Sequence, residues 1–473
     1  MMTREMRRAL AGRATRRNVV RGGAAAGAGL ALAGSGRRGF QTVGAQGTPA
    51  GTPAAFGRDA SIVSWGFGLT NPLSTARAEA FQAANPSIAI EFVPELDDQK
   101  ILTAAASDTL PDLLWIDRVD MASWAQRGVV APLDQYVQSS GLNLADYYEA
   151  GVAESTYEGQ LYGLPGGMDV RALYVNLDAL NEIGVDGMTL DTSDWDLLAD
   201  LGEQLVQRDG DRITRWGFDT KLQAGYLWLW GLGNGGTFFN EDGTEATYNN
   251  EQVVDALQWG VEAYERQGGY QDYEAVASTW QGDEQFARGQ VAMTMYESWM
   301  LGILASVAPD LNFAVLPIRQ RGSGPDGPPV SFAAGRSWSI PQGANDPEAA
   351  WHFISQMHTL DTWLIGAQAR KEAAQAEGGN YIPALTAHIE ADRRQIEELY
   401  DPISENVDAA VRLFPELLAA STNRPNSAFP ASAQLEDTMT EVGILPALRG
   451  ETTAEDALTQ ANDDAQEAVE EFL

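Results

Sequence analysis

The side chains in this 473-residue sequence best suited to gripping a ligand are thirteen Trp and an excess of carboxylates. An indole is a broad apolar plate, and a carboxylate accepts hydrogen bonds. Together they suit a molecule with apolar C–H faces and a rim of hydroxyls. Trp65 closes the short run Ser61 to Trp65, which reads as a strand, and α/β proteins place ligands at the carboxyl ends of their strands. Trp228 and Trp230 stand two apart in a helical segment and so point to different faces. One of them belongs to the core, and Trp228 is kept as the ligand candidate. Trp338 follows Gly335 and Arg336 in a strand-like run and fits either a cleft or a core.

Other chemistries find little support. Cys is absent, which excludes disulfides, thiolate metal sites, a cysteine nucleophile and a lipid-modified Cys. The three His, at 352, 358 and 388, lack the spacing of a helical metal site, so neither a metal nor a cofactor is expected. No nucleophile elbow or phosphate loop occurs. Gly231 to Gly236 follows a Trp-rich helical segment and reads as a helix C-terminus rather than a phosphate cradle. Asp194-Trp195-Asp196 and Asp209-Gly210-Asp211 do not extend into a calcium loop.

The charge is divided unevenly. Residues 1–58 hold ten Arg and one acid, while the remainder carries 21 basic against 65 acidic side chains, a net −44. So acidic a surface repels phosphate backbones, which argues against nucleic acid as a partner. A secreted glycan-active hydrolase remains an alternative. With so many acids, however, a carboxylate pair about 5–9 Å apart arises by chance and identifies nothing.

The elements that must position these residues follow from periodicity and punctuation. Ser61 to Trp65 reads as a strand, with a helix capped by Ser74 running to about Ala84 and stopped by Asn85-Pro86. Ile88 to Val93 is a second strand, Lys100 to Ala106 a helix, and Leu113 to Ile116 a third, buried strand. That succession is a β-α-β-α-β half-sheet. Further on, Asn240 to Gly243 reads as a hairpin tip, Arg319 to Pro329 as a surface loop, Pro347 to Met357 as a helix and Thr453 to Phe472 as an acidic amphipathic helix.

The N-terminus reads as an address. Thr15-Arg16-Arg17-Asn18-Val19-Val20-Arg21 ahead of a short Gly/Ala/Leu stretch resembles a twin-arginine export signal, with a cleavage site near Ala45. Residues 46–58 then form a flexible linker, and the expected destination is extracellular, cell-surface or periplasmic.

Several segments, in order, resemble the extracellular solute-binding proteins of ABC importers, the family that includes maltose- and oligosaccharide-binding proteins. They are Phe81-Gln82-Ala83-Ala84-Asn85-Pro86, Leu110-Pro111-Asp112-Leu113-Leu114-Trp115-Ile116-Asp117, Trp124 to Asp134, Tyr162-Gly163-Leu164-Pro165, Ala172 to Asn176, Phe286 to Trp299 and Ala454 to Leu458. The likeness spans about Ser61 to Ala468, and it rests on order and spacing rather than on any one motif.

The resemblance implies an α/β, two-lobed periplasmic-binding-protein type II fold, a Venus flytrap whose hinge strands flank an inter-lobe cleft. Its lobes would be 59–168 plus 333–383 and 169–332 plus 384–473, with crossings near 169–171, 330–335 and 380–390. It implies no catalysis. Lobe closure would capture a small polar solute, most simply a carbohydrate, for delivery by a monomer to ABC permease subunits. The resemblance makes Trp299 the principal stacking residue, Asp117 and Asp169 the acidic hydrogen-bonding residues, and Gln223 and Glu297 further contacts, while Arg118 either pairs with Asp117 or reaches the ligand. Arg336 departs from the small residues common there. Facing the cleft, it would favour an anionic solute such as a uronate or a glycerol phosphate ester, whereas an ion pair would make it structural. Phe429 is the sole aromatic of 423–433, where relatives of this kind can place another plate, and this points to a short or differently shaped solute.

Overall fold

A computed structural model describes residues 56–278 and 282–472. The export signal expected at 1–45, and the linker except 56–58, lie outside the described residues.

Two five-stranded sheets organise the chain. The first contains β1 (Ala60–Trp65), β2 (Ile88–Val93), β3 (Leu113–Asp117) and β4 (Leu164–Asp169). The second contains β5 (Arg171–Asn176), β6 (Gln207–Asp209), β7 (Arg212–Asp219), β8 (Val291–Glu297) and β9 (Phe313–Leu316). The chain then returns to the first sheet as β10 (Ala334–Ser339). The orders are β2-β1-β3-β10-β4 and β9-β5-β8-β7-β6. β1 pairs in parallel with β2 and β3, as the half-sheet pattern requires, and β10 runs antiparallel to both its neighbours.

Local signals set most element boundaries. The helix Pro72–Ala84 is capped by Asn71, whose side chain accepts from the Ser74 amide, with Pro72 in the first turn. Ser74, expected as the cap, is three residues inside. Asp97 caps Asp98–Ala106 by accepting from Lys100 N at 2.7 Å. The expected hairpin at Asn240 to Gly243 closes on a single bridge between Phe239 and Ala246.

The chain passes between the sheets at adjacent places. Only Val170 separates β4 from β5. Ser331 binds that passage, donating to Arg171 O at 3.0 Å and accepting from Arg171 N at 2.9 Å. The third crossing was expected near 380–390, and the structure moves it. Thr386 and His388 bridge to Gly167 and Tyr147, and Ile389–Arg394 packs on the helix Leu360–Ala376, so this stretch stays with the first sheet. Beyond it the helix Glu405–Ala420 packs on β9 of the second sheet, and Thr422 then pairs with Phe332, its amide donating to Ser331 O at 3.2 Å. Backbone partners for 386–388 are available only on the first sheet, and buried amides take the partners that packing offers.

Most of the tryptophans are interior. Trp195, Trp230 and Trp259 pack mutually with centroids 4.7–5.1 Å apart in the core of the second half. Trp338 packs on Phe67, Trp115 and Phe353 in the core of the first.

Candidate functional site

Where β4 passes into β5, the buried guanidinium of Arg171 ion-pairs with Asp169 and reaches Glu297 Oε1, at the end of β8, at 3.5 Å. The two carboxylates keep 14% and 13% of their surface. One cation serves two acids. Burial, reinforced by Glu297, pushes the Asp169 carboxyl up to about 6 even though Arg171 opposes the shift. The arrangement holds carboxylate oxygens rigidly at the crossing, where they can accept hydroxyl protons.

Beyond Glu297 the chain turns into the helix Met300–Val307, and Trp299 stands at that turn with 42% exposure. Its ring meets Tyr296 edge-on at 5.2 Å. Burying so large an apolar plate against solvent-exposed C–H groups is favourable, and among the described tryptophans this is the one left exposed. Gln223 lies nearby in sequence-distant company: it donates to Tyr273 OH and Asp219 Oδ1, and accepts from Tyr264 OH at 2.7 Å. Sequence reasoning missed the neighbour of this network, Lys221. It holds the left-handed backbone (φ 59°), and its Nζ sits 2.9 Å from Asp219 Oδ2 and 5.0 Å from the Tyr296 ring centre. A non-glycine residue in that conformation was the structural signal, invisible in sequence.

On the first sheet Trp65 is half-buried, packed beside the Ile101–Leu114 cluster, with Lys100 Nζ 4.3 Å from its ring centre. At the end of β3, Asp117 accepts from Nε and NH2 of Arg336, each at 3.1 Å. Arg336 is therefore a paired cation.

Three expected ligand residues are withdrawn. Arg118 has no exposed surface; it ion-pairs with buried Glu154 and donates at 3.0 Å to the carbonyls of Gly167 and Arg336, bracing the strand ends. Trp228 is wholly buried against Phe238 and Tyr248, and Trp230 is buried too, because further elements cover both faces of their short helix. Trp338 is likewise enclosed, as its place in the middle of a sheet covered by Phe353 demands.

A cavity of about 600 Å³ lies between the turn after β3 and residues 430–442. Asp120 and Trp124 contribute from just beyond β3, Gln434 and Asp437 from the segment after the third crossing. Ser432 donates to Asp120 Oδ1 across the gap at 3.4 Å. Gly225, at the end of the Gln223 turn, lies against Thr440 and Glu436. Asp120 went unnoticed in the sequence, although the strand-end rule that selects Trp65 also covers the turn after β3.

Comparison with known proteins agrees with this architecture. A lactose-binding protein of Rhizobium radiobacter is 24% identical over 65% of this chain and 72% of its own length. An ABC substrate-binding protein from Listeria monocytogenes, solved with cycloalternan, superposes with a TM-score of 0.70 at 18% identity, covering 86% of this chain and 98% of that one. A solute-binding protein from Thermotoga lettingae, bound to alpha-D-tagatose, superposes with a TM-score of 0.67 at 18% identity, over 87% of this chain and all of that one. These structures share the two-lobed fold. The family pattern described as bacterial extracellular solute-binding protein matches residues 76–395, well over half of the sequence. The chain belongs to the family of bacterial extracellular solute-binding proteins.

Proposed function

We propose that this protein captures a short carbohydrate in the groove between its halves and hands it, lobes closed, to the permease of an ABC importer. The observation that carries this reading is the pairing, within three residues, of the exposed Trp299 plate with Glu297, whose carboxylate shares Arg171 with Asp169 at the crossing. A plate for C–H faces beside fixed acceptors for hydroxyls is what a sugar requires. The lactose-binding relative supports the same solute class. A solute touching both halves favours the closed form through the contacts it makes only there.

The lobes of this reading are 59–168 with 333 to about 400, and 169–332 with the rest, since the helix Glu405–Ala420 packs on β9; the last boundary moves from 383 accordingly. Export by the twin-arginine route completes it, and a Lys-Lys replacement of Arg16-Arg17 would abolish that export. No helix among the described residues is long and apolar enough to cross a membrane.

Calorimetry with lactose, maltotriose, mannobiose, galacturonate and glycerol 3-phosphate tests the reading. A bound sugar at 100 times its Kd raises stability by about 2.7 kcal/mol. Release of the chromophore from a nitrophenyl glycoside would overturn it in favour of a hydrolase, and tighter binding of galacturonate or glycerol 3-phosphate would favour an anionic solute.

A further inference from the structure

Trp299 serves as a plate only when its indole is held in one attitude, and an exposed ring must be fixed from the side it still buries. That ring meets Tyr296 at 78° with centroids 5.2 Å apart, the edge-to-face geometry that aromatic pairs prefer. Tyr296 is the penultimate residue of β8, and its hydroxyl reaches Asp283 Oδ1 at 3.5 Å. Lys221 holds the ring itself, with Nζ 5.0 Å from the ring centre. A cation so placed is attracted by the ring quadrupole, the more strongly where water is partly excluded.

Lys221 is in turn gripped at both ends by one carboxylate. Its amide donates to Asp219 Oδ1 at 3.0 Å, and its Nζ lies 2.9 Å from Asp219 Oδ2. The Asp219 carboxylate is fully buried and also accepts from Tyr264 OH at 2.7 Å and Tyr273 OH at 2.9 Å. Burial pushes this carboxyl up, but the charge of Lys221 and the bonds from Lys221 and Tyr264 outweigh it and hold it below the ordinary value, so the pair stays ionised.

The backbone supplies an independent sign. At φ 59° Lys221 occupies the left-handed region, which glycine would occupy without strain. A long cation at such a position points to a use for its side chain. Gly282 closes the space around it: a Cβ there would stand 2.6 Å from Lys221 Nζ and 2.8 Å from the Tyr296 ring.

We infer that Lys221 is a positioning residue of the solute site: anchored to Asp219, it fixes the Tyr296 ring, and that ring sets the Trp299 indole in the attitude that receives a sugar face. The inference rests on the carbohydrate reading and adds to it a residue that acts on the solute through two rings.

The test is a double-mutant cycle on the intact protein, read by titration calorimetry with lactose, maltotriose and mannobiose. Lys221→Met alone would strand a buried carboxylate, so the informative variant is D219N/K221M, which removes both charges. It is expected to weaken the best-bound of these sugars by about three- to tenfold. In a Trp299→Ala background the same two changes should leave the remaining affinity unaltered, because no plate is left to position. No loss in the first background, or an equal loss in both, would overturn the inference and leave the carbohydrate reading standing.

A second measurement needs no sugar. In protein labelled with 5-fluorotryptophan, the fluorine resonance that disappears in Trp299→Phe reports the indole directly. It is expected to shift or broaden in D219N/K221M, as the ring samples further rotamers, and to do so in Tyr296→Leu, which removes the intermediate ring and keeps the ion pair. A resonance unchanged in position and width in either variant would refute the positioning role. Failure of all three sugars to bind the unmodified protein would instead count against the carbohydrate reading, and the fluorine signal would still decide the inference.

Discussion

Arg336 and Asp117 are cross-strand partners in the antiparallel pairing of β10 with β3, and their side chains close a bidentate pair with both bonds at 3.1 Å. The pair sits at the groove edge with 41% and 33% of its side-chain surface exposed. It consumes the one arginine whose position had suggested an anionic solute. Solvent screens such a pair, so Arg336→Ala should cost at most about 1 kcal/mol in urea denaturation. Glucuronate and sugar phosphates should compete no better than neutral sugars in either form; an anion preference lost in the variant would show that Arg336 does reach the solute.

Trp299 offers surface to a ligand at little structural expense. Trp299→Ala should weaken sugar binding by about 2 kcal/mol, roughly thirtyfold in Kd, as removal of a central aromatic anchor does. The melting temperature of the empty protein should move by no more than a degree or two. Titration calorimetry and a thermal melt on the same sample separate the two effects.

Arg171 has the opposite character, since it is buried and serves both Asp169 and Glu297. Arg171→Met strands two carboxylates in a dry place and should destabilise the fold by about 3–5 kcal/mol. Adding Asp169→Asn to that variant should restore part of the loss. A double variant no more stable than Arg171→Met alone would show that the three residues do not act as a unit.

Asp392 lies buried at the start of the segment packed on Leu360–Ala376 and accepts from Thr386 N at 2.8 Å. Burial raises its carboxyl to about 8, against the ordinary aspartate value of 3.8. Between those values the folded protein keeps a proton that the unfolded chain has released, so stability falls as pH rises from about 4 towards 8, by at most about 1.4 kcal/mol per pH unit from this group. Asp120 and Asp169, raised to about 7 and 6, add in the same direction over narrower windows. Asp219 and Asp408 are lowered, and their contribution is lost below about pH 4. Urea midpoints across pH 4 to 8 should decline, and Asp392→Asn should flatten the decline.

Local chemistry alone determined much of this protein. β-branched runs and proline stops marked β1 to β3, the helix 347–357 and the end of the helix 72–84 within a residue or two, because each depends on neighbours a few positions away. Their order indicated an α/β half-sheet, and the family resemblance implied the two-lobed fold. Tertiary structure alone decided which side chains stay exposed. Trp299 and Trp338 are the same residue type, yet one stands at an exposed turn and the other mid-sheet beneath Phe353. Arg118 found Glu154 thirty-six positions on, and Arg336 found Asp117 two hundred and nineteen positions back. The acidic cavity joins Asp98 and Asp120 to Asp437 and Glu441, residues that no local pattern connects. Burial and charge pairing are properties of what the folded chain brings together, so they became legible only when the long-range contacts were made.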